Sequence, residues 1–262
     1  MWDSSDFSSI YQKLTLHIHN SILFDLSLYA SIVGIVCLCV FVATQITRRK
    51  RIQSRSATID DVIRELTSSI RTIICFSIAM SFVVIVEHFG GEVFRYHKIS
   101  ISTLFFQVIL LILFHDTYFY WMHRALHSRL LFRSVHFHHH KSVAPTPFAA
   151  YSFSVFEAFI EISFVPIFLL SISMIEYRYS VDSIIIFILF MLSRNVVGHA
   201  GFELHPQWWV ENNISDLLTT TTHHDLHHSH GNCNFGLYFT WWDRLMDTEH
   251  KQYKEHFRKN SS

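Results

Sequence analysis

The sequence predicts an all-α fold: a multi-pass membrane helical bundle of about four main transmembrane helices, with a cytoplasmic histidine-rich metal-binding cap. Three observations carry that expectation. Half of the 262 residues are apolar and only 16% are charged, with 25 Phe and a mean hydropathy of +0.25; a soluble domain carries about 25% charged residues. Apolar runs recur, beginning with Leu26–Ile46, 21 residues without a charge, and about 20 suffice to cross a bilayer. The histidines stand in spaced clusters beyond the ends of these runs.

Taken in order, Leu26–Ile46 is the first span, and Arg48-Arg-Lys-Arg51 with Arg55 place its end in the cytoplasm. Ser56–Arg71 is polar and is expected at the surface. Thr72–Val86 returns to the far side, where Gly90-Gly91 makes a turn. Ile99–Phe114 begins a third helix, whose pattern continues without Gly or Pro to His127. Arg124, Arg129, Arg133 and Lys141 follow it, and Pro145 and Pro147 break the chain. Phe153–Ile175, with Glu157, Glu161 and Pro166 inside, and Ser183–Val197 go in and return. This divides the chain into an N-terminal transmembrane hairpin with a basic cytoplasmic loop (1–100), a catalytic domain (101–250) and a polar tail (251–262). The protein is expected to be an integral multi-pass protein of a bacterial inner membrane or the endoplasmic reticulum membrane. Lys+Arg and Asp+Glu balance at 21 each, which argues against a nucleic-acid partner. Cys37, Cys39, Cys75 and Cys233 form no C-x-x-C pair, so neither a disulfide framework nor a thiolate zinc site is supported.

His123-Arg-Ala-Leu-His127 is an HX3H pair. His136-Phe-His-His139-His140 contains HX2HH, and His224-Asp-Leu-His227-His228 repeats it. Residues at i, i+3 and i+4 share a helix face, so each cluster aims two or three imidazoles at one point. Neutral imidazole is the commonest side-chain metal ligand and suits zinc, copper, nickel or iron. Eight histidines exceed what one tetrahedral site needs, and the pattern reads as a two-metal centre. Lone His199 joins the candidates, and His223 extends the last cluster. His138 breaks the spacing, and His205 and His230 read as peripheral. His17, His19, His88, His97, His250 and His256 read as structural or exposed; His115, eight residues before His123 on the same face, is left open between that reading and an outer partner of the ligands. Asp116, Glu203 and Asp225 are candidate carboxylate partners for the ligands' second ring nitrogens. Tyr118, Phe119 and Tyr120 are candidates for lining an apolar substrate slot, while Trp121 reads as part of an interfacial belt.

Asp116-Thr-Tyr-Phe-Tyr-Trp-Met-His-Arg-Ala-Leu-His127 resembles the first histidine box of the fatty acid hydroxylase/sterol desaturase superfamily. His136–His140 with Pro145-Thr-Pro-Phe-Ala-Ala-Tyr-Ser-Phe153 resembles its second box, and His199-Ala-Gly-Phe-Glu203 its isolated-histidine element. His223-His-Asp-Leu-His-His228, Asn234-Phe-Gly and Phe239-Thr-Trp-Trp-Asp-Arg244 resemble its last box and tail. The likeness covers about residues 110–248. It implies a membrane-embedded, non-haem di-iron oxygenase with His123, His127, His136, His139, His140, His199, His224, His227 and His228 as ligands. It also implies functional placement of Asp116, Glu157 and Asp225. Ser154-Val155 stand where the family often has His-Pro, and Asp247-Thr248 where Gly-Thr is usual.

The chemistry implied is O2-dependent hydroxylation or desaturation of a sterol, fatty acyl or related lipid at two iron ions, for which zinc may substitute in purified protein. The chain has no Gly-x-Gly-x-x-Gly, haem-attachment motif or recognisable cytochrome b5 domain, so an external donor is expected: cytochrome b5, a ferredoxin or a reductase. Two other classes use the same residues. A two-zinc membrane hydrolase would take Glu203 or Asp225 as its base. A metal transporter or sensor would place ionisable residues within its spans.

Overall fold

A computed structural model describes residues 4–46 and 48–261, with side chains from residue 8 onward. The outermost ends of the expected hairpin and tail, residues 1–3 and 262, lie outside it, as does residue 47. Nine α-helices are present among the described residues: α1 Ser4–Ile46, α2 Ile59–His88, α3 Ile101–Leu126, α4 Phe137–His140, α5 Val155–Ser173, α6 Val181–Gly198, α7 Thr221–His230, α8 Trp241–Leu245 and α9 Tyr253–Asn260. Two two-residue strands, Phe94–Arg95 and Tyr179–Ser180, pair in parallel at one end of the bundle.

Five helices, α1, α2, α3, α5 and α6, are long and apolar enough to cross a membrane. This corrects the expected count of about four. α5 and α6 each hold a full apolar span, although Glu157, Glu161 and Pro166 interrupt the first. Two helices also begin well before their apolar runs. α1 starts at Ser4 rather than near Leu26. α2 starts at Ile59, where Thr58 accepts the Asp61 N–H and the Asp61 carboxylate accepts the Thr58 N–H in a reciprocal cap. The segment expected as polar surface is therefore the first three turns of a helix. Its inner face, Glu65, Ser68 and Ser69, is buried; Glu65 accepts from Thr146 and Ser69 donates to the Phe148 carbonyl.

The core divides by depth. Val83, Leu111, Phe164, Leu169, Tyr179 and Phe187 pack at the strand end of the bundle. Tyr29, Val33, Ile73, Phe76, Tyr151, Phe153 and Val196 pack nearer the other end. Beyond them lies a cap built from α4, α7, α8, α9 and their loops, with Val210, Leu226, Tyr253 and Phe257 as its own apolar centre. Within the polar segment, residues 251–261 do not trail free, because α9 buries Tyr253 and Phe257 there. The loop after α1 is stitched onto the cap: Arg51 pairs with Phe202 in a β-bridge and the Ile52 N–H donates to the Gly201 carbonyl. The bundle thus presents one end to a polar cap, and every histidine cluster lies at that end.

Candidate metal centre

Nine imidazoles converge in two groups. His123, His127, His136, His140 and His227 form one; His139, His199, His224 and His228 form the other. Within each group the candidate ligand atoms lie within 4.8 Å of one another. α3 delivers His123 and, at its C-cap, His127. A π-helical turn, Phe132–His136, then runs into α4. His136 and His140, one turn apart, enter the group of five, whereas His139 turns to the group of four. α7 divides in the same way: His227 joins the first group, and His224 and His228 the second. His199 arrives at the end of α6.

The hydrogen-bond pattern tests whether cations fit. Nδ1 of His123, His199 and His227 faces the carbonyl oxygens of Phe235, Asn195 and Cys233 at 3.0, 2.8 and 2.8 Å. A carbonyl only accepts, so the proton sits on Nδ1 and Nε2 carries a bare lone pair. Those lone pairs meet. His199 Nε2 lies 3.2, 3.0 and 3.3 Å from Nε2 of His139, His224 and His228. His140 Nε2 lies 3.1 Å from Nε2 of His127, of His136 and of His227. Facing lone pairs repel, and a cation between them converts the repulsion into ligation. The residues therefore fit two metal ions, and an imidazole set without thiolate suits iron or zinc. Burial, the largest cause, pushes His199 and His140 down to about 4. Burial and crowding by neighbouring imidazoles hold His136, His139, His224, His227 and His228 well below the usual range. The imidazoles are thus neutral, as ligation requires.

The carboxylates divide by role. Glu157 is 2.5 Å from His136 Nδ1 and closes the cap of α5, where Ser154 Oγ accepts the Glu157 N–H. Ser154, at the departure from His-Pro, therefore begins the helix and also donates to the Val135 carbonyl beside His136. Asp116, Glu203 and Asp225 touch none of the nine imidazoles. Asp116 accepts the Tyr238 and Phe239 N–H groups and Trp241 Nε1. It pins the loop whose Phe235 carbonyl meets His123. Glu203 accepts the Thr222 N–H in the first turn of α7 and both the N–H and Nδ1 of His205; burial raises it, but these bonds prevail and keep it below the usual carboxylate range. Asp225 faces away from the histidines, 2.5 Å from Gln53 Nε2, and burial pushes it up to about 7.

His223 lies outside both groups. It sits one residue, about 100° of helix turn, before His224, and its ring packs against Tyr253 with Nε2 3.6 Å from Asp243. His115 bonds Tyr238 rather than a candidate ligand. Of the three aromatic candidates, Phe119 alone faces the interior space below the histidines. Tyr118 donates to the Ile160 carbonyl, and Tyr120 meets Thr248 and stacks on Trp242.

Sequence reasoning missed Asp243, which gathers the Phe235 and Gly236 N–H groups and Thr248. A Cβ at Gly236 would collide with the Phe239 carbonyl, so that turn requires glycine. The signal was present in Asn234-Phe-Gly and Trp-Trp-Asp, but nothing local couples the two segments. The carbonyls that orient the imidazoles carry no residue signal at all.

Below the histidines, inside the bundle, a narrow cavity of ≈ 30 Å³ is lined by Phe119, Tyr151, Phe153, Glu161 and neighbouring residues. Phe119 and Phe153 roof it: their rings lie 5.0 and 5.1 Å from those of His123 and His139. His127 is half-buried, unlike the other eight, and borders a surface depression of ≈ 550 Å³ with Arg129, Phe132 and Arg133.

Fold and site together define a class: an integral membrane helical bundle closed by two candidate metal centres in its cap. The chain belongs to the fatty acid hydroxylase family, whose model matches residues 108–248. It is 30% identical over 142 residues to a Δ7-sterol 5(6)-desaturase of Gibberella zeae, covering 54% of this chain and 41% of that one. It is 30% identical over 155 residues to a methylsterol monooxygenase of Aspergillus fumigatus, covering 58% and 50%. It is 29% identical over 140 residues to human lathosterol oxidase, covering 53% and 43%. The chain therefore spans half or less of the length of these relatives. By their names these three relatives are a desaturase, a monooxygenase and an oxidase of sterols. No solved structure matches.

Proposed function

We propose that the protein is an O2-dependent lipid hydroxylase or desaturase whose nine clustered histidines hold two iron ions. One observation carries this reading: two imidazole cages, without thiolate, stand directly over a membrane-interior cavity roofed by Phe119 and Phe153. When bound, such a metal pair supplies the redox chemistry with O2 that an unactivated C–H bond requires. The protein's part is placement. Nδ1 contacts to Phe235, Asn195, Cys233 and Glu157 lock four imidazoles in orientation. The two Phe rings separate the cages from the bundle interior and set the approach of a lipid carbon. The names of the three relatives above point to sterols, while others at similar identity are very-long-chain aldehyde decarbonylases; a sterol, fatty acyl or related lipid is the substrate class carried over to this chain.

Electrons come from an external donor, a cytochrome b5, ferredoxin or reductase, for which the half-buried His127 beside Arg129 and Arg133 offers a point of approach. The basic run Arg48–Arg51, whose Arg51 and Ile52 neighbourhood is stitched to the cap, supports a cytoplasmic cap. A two-zinc hydrolase fits less well, because its candidate bases, Glu203 and Asp225, are engaged away from the imidazoles.

The test reloads metal-free protein anaerobically with Fe2+ or Zn2+, then supplies reductant, heavy-isotope O2 and membrane lipids. The iron form consumes O2, and a hydroxylated product carries the label; the zinc form is inert, since zinc has no redox chemistry. Oxygen taken only from water, with zinc sufficing, would sink the proposal.

A further inference from the structure

We propose that Glu161 and Tyr151 form a recognition subsite for the hydroxyl group of a lipid alcohol; the inference rests on the lipid-oxygenase reading. Glu161 lies in membrane-spanning α5 on the same face as buried Glu157, Ala158, Phe164 and Val165. A carboxyl at that depth is costly and marks function by default. Glu157, one turn earlier, is consumed by His136 and the helix cap. Glu161 has no hydrogen-bond or ion-pair partner among the described residues, and it lines the cavity beneath the histidines. Tyr151, buried on the same cavity, reaches only the Met191 sulfur at 4.0 Å, a weak acceptor. Buried tyrosine hydroxyls ordinarily find a better partner.

Of the other lining residues His115 and Asn195 are polar, but His115 bonds Tyr238 and Asn195 donates to the Ala150 carbonyl, so the chemistry of Glu161 and Tyr151 selects the occupant. At ≈ 30 Å³ the cavity has room for one or two water molecules, and a lipid entering by side-chain rearrangement displaces them. The carboxyl then needs a donor and the phenol an acceptor, or both are left dry. An alkyl chain offers neither. A ketone or ester offers only acceptors, and an ammonium only donors. A hydroxyl offers both. Position adds a constraint. Four residues of helix separate Glu161 from Glu157, a rise of about 6 Å, so the hydroxyl sits a few carbon–carbon bonds from the carbon presented to the cages.

The experiment measures binding, separately from turnover. Zinc-loaded full-length protein in nanodiscs is titrated with cholesterol and with 1-hexadecanol, each against its counterpart lacking oxygen, cholestane and hexadecane. A site built to bond a hydroxyl discriminates strongly against an analogue lacking it. At least one alcohol should therefore bind saturably and about tenfold or more tighter than its counterpart. Glu161→Leu should erase that preference while leaving hydrocarbon binding and metal content unchanged. Glu161→Gln, which keeps a carbonyl acceptor, should retain part of it, and Tyr151→Phe should reduce it about three- to tenfold. Equal binding of alcohol and hydrocarbon, no saturable alcohol binding, or a preference surviving Glu161→Leu overturns the subsite. If the alcohol preference holds while iron-loaded protein consumes no O2, the oxygenase reading falls and the subsite stands. If a lipid is oxidised with no preference for a hydroxyl, the subsite alone falls.

Discussion

The two imidazole groups are built to different specifications. The group of five has a carboxylate behind His136 and one half-buried member, His127, at the surface. The group of four is wholly buried, is oriented through the Ser152 and Asn195 carbonyls, and turns on His199, whose Nε2 meets all three partners. One group has a ligand to spare and an opening; the other has neither. The difference teaches that the pair is not symmetric: the first is suited to exchange with the surroundings, the second to retention.

The sharpest way to break this comparison is to remove one ligand from each group. His199→Ala should abolish turnover and reduce bound metal from two equivalents to one or less. His127→Ala leaves four imidazoles and should keep both metals. Elemental analysis that finds equal losses would remove the asymmetry.

Acid should come next in size. In metal-free protein, His199 and His140 are depressed to about 4 from 6.5. The unfolded chain therefore takes up protons that the folded chain refuses as pH falls from 6.5 towards 4. Stability is retained above that window and lost through it, on the order of several kcal/mol in sum. Thermal melts of chelated protein at stepped pH check the sign; a melting point that rises on acidification contradicts it.

Glu157→Gln tests the group of five alone. The amide keeps a contact with the cap but removes the charge behind His136, and metal affinity there should fall about 10- to 100-fold. Competitive chelator titration should show the larger loss at the group of five, with the group of four weakened only through its coupling to it. Smaller still, Glu203→Ala removes an acceptor and a negative charge from the first turn of α7, at about 1–2 kcal/mol of stability. Denaturant titration measures it, and an unchanged midpoint would mean that Glu203 does not support α7. Asp225→Asn faces away from both groups, so metal content should not change.

Much of this was legible in the sequence. The i, i+3, i+4 spacing of His224, His227 and His228 states that they share a helix face, and the apolar runs state where the bundle lies. The spacing cannot say that His227 parts from its neighbours to join His123, because that division is made by the facing helices. Asp116 looked like a partner for histidine because it precedes the first box, yet it is two turns from His123 and holds a loop more than 100 residues later. His223 looked like a ligand by adjacency, and helix rotation took it elsewhere. Glu161 was visible as a charge inside an apolar run, but only the packing of α5 against Tyr151 and Phe119 gives that charge a place to act. The length of α2 was hidden because its outer turns are held by a reciprocal cap and buried polar contacts rather than by apolar pattern.

The division of α7, and of α4 with the turn before it, binds the two centres thermodynamically. Filling one group fixes the backbone that presents ligands to the other, so the ordering cost is met once for both. By linkage, each metal must then raise the affinity for the other by the same factor. Under scarcity the population should sort into empty and doubly filled chains, with few carrying a single ion. Native mass spectrometry during a substoichiometric titration would reveal this, and a dominant singly loaded species would show the centres to be independent.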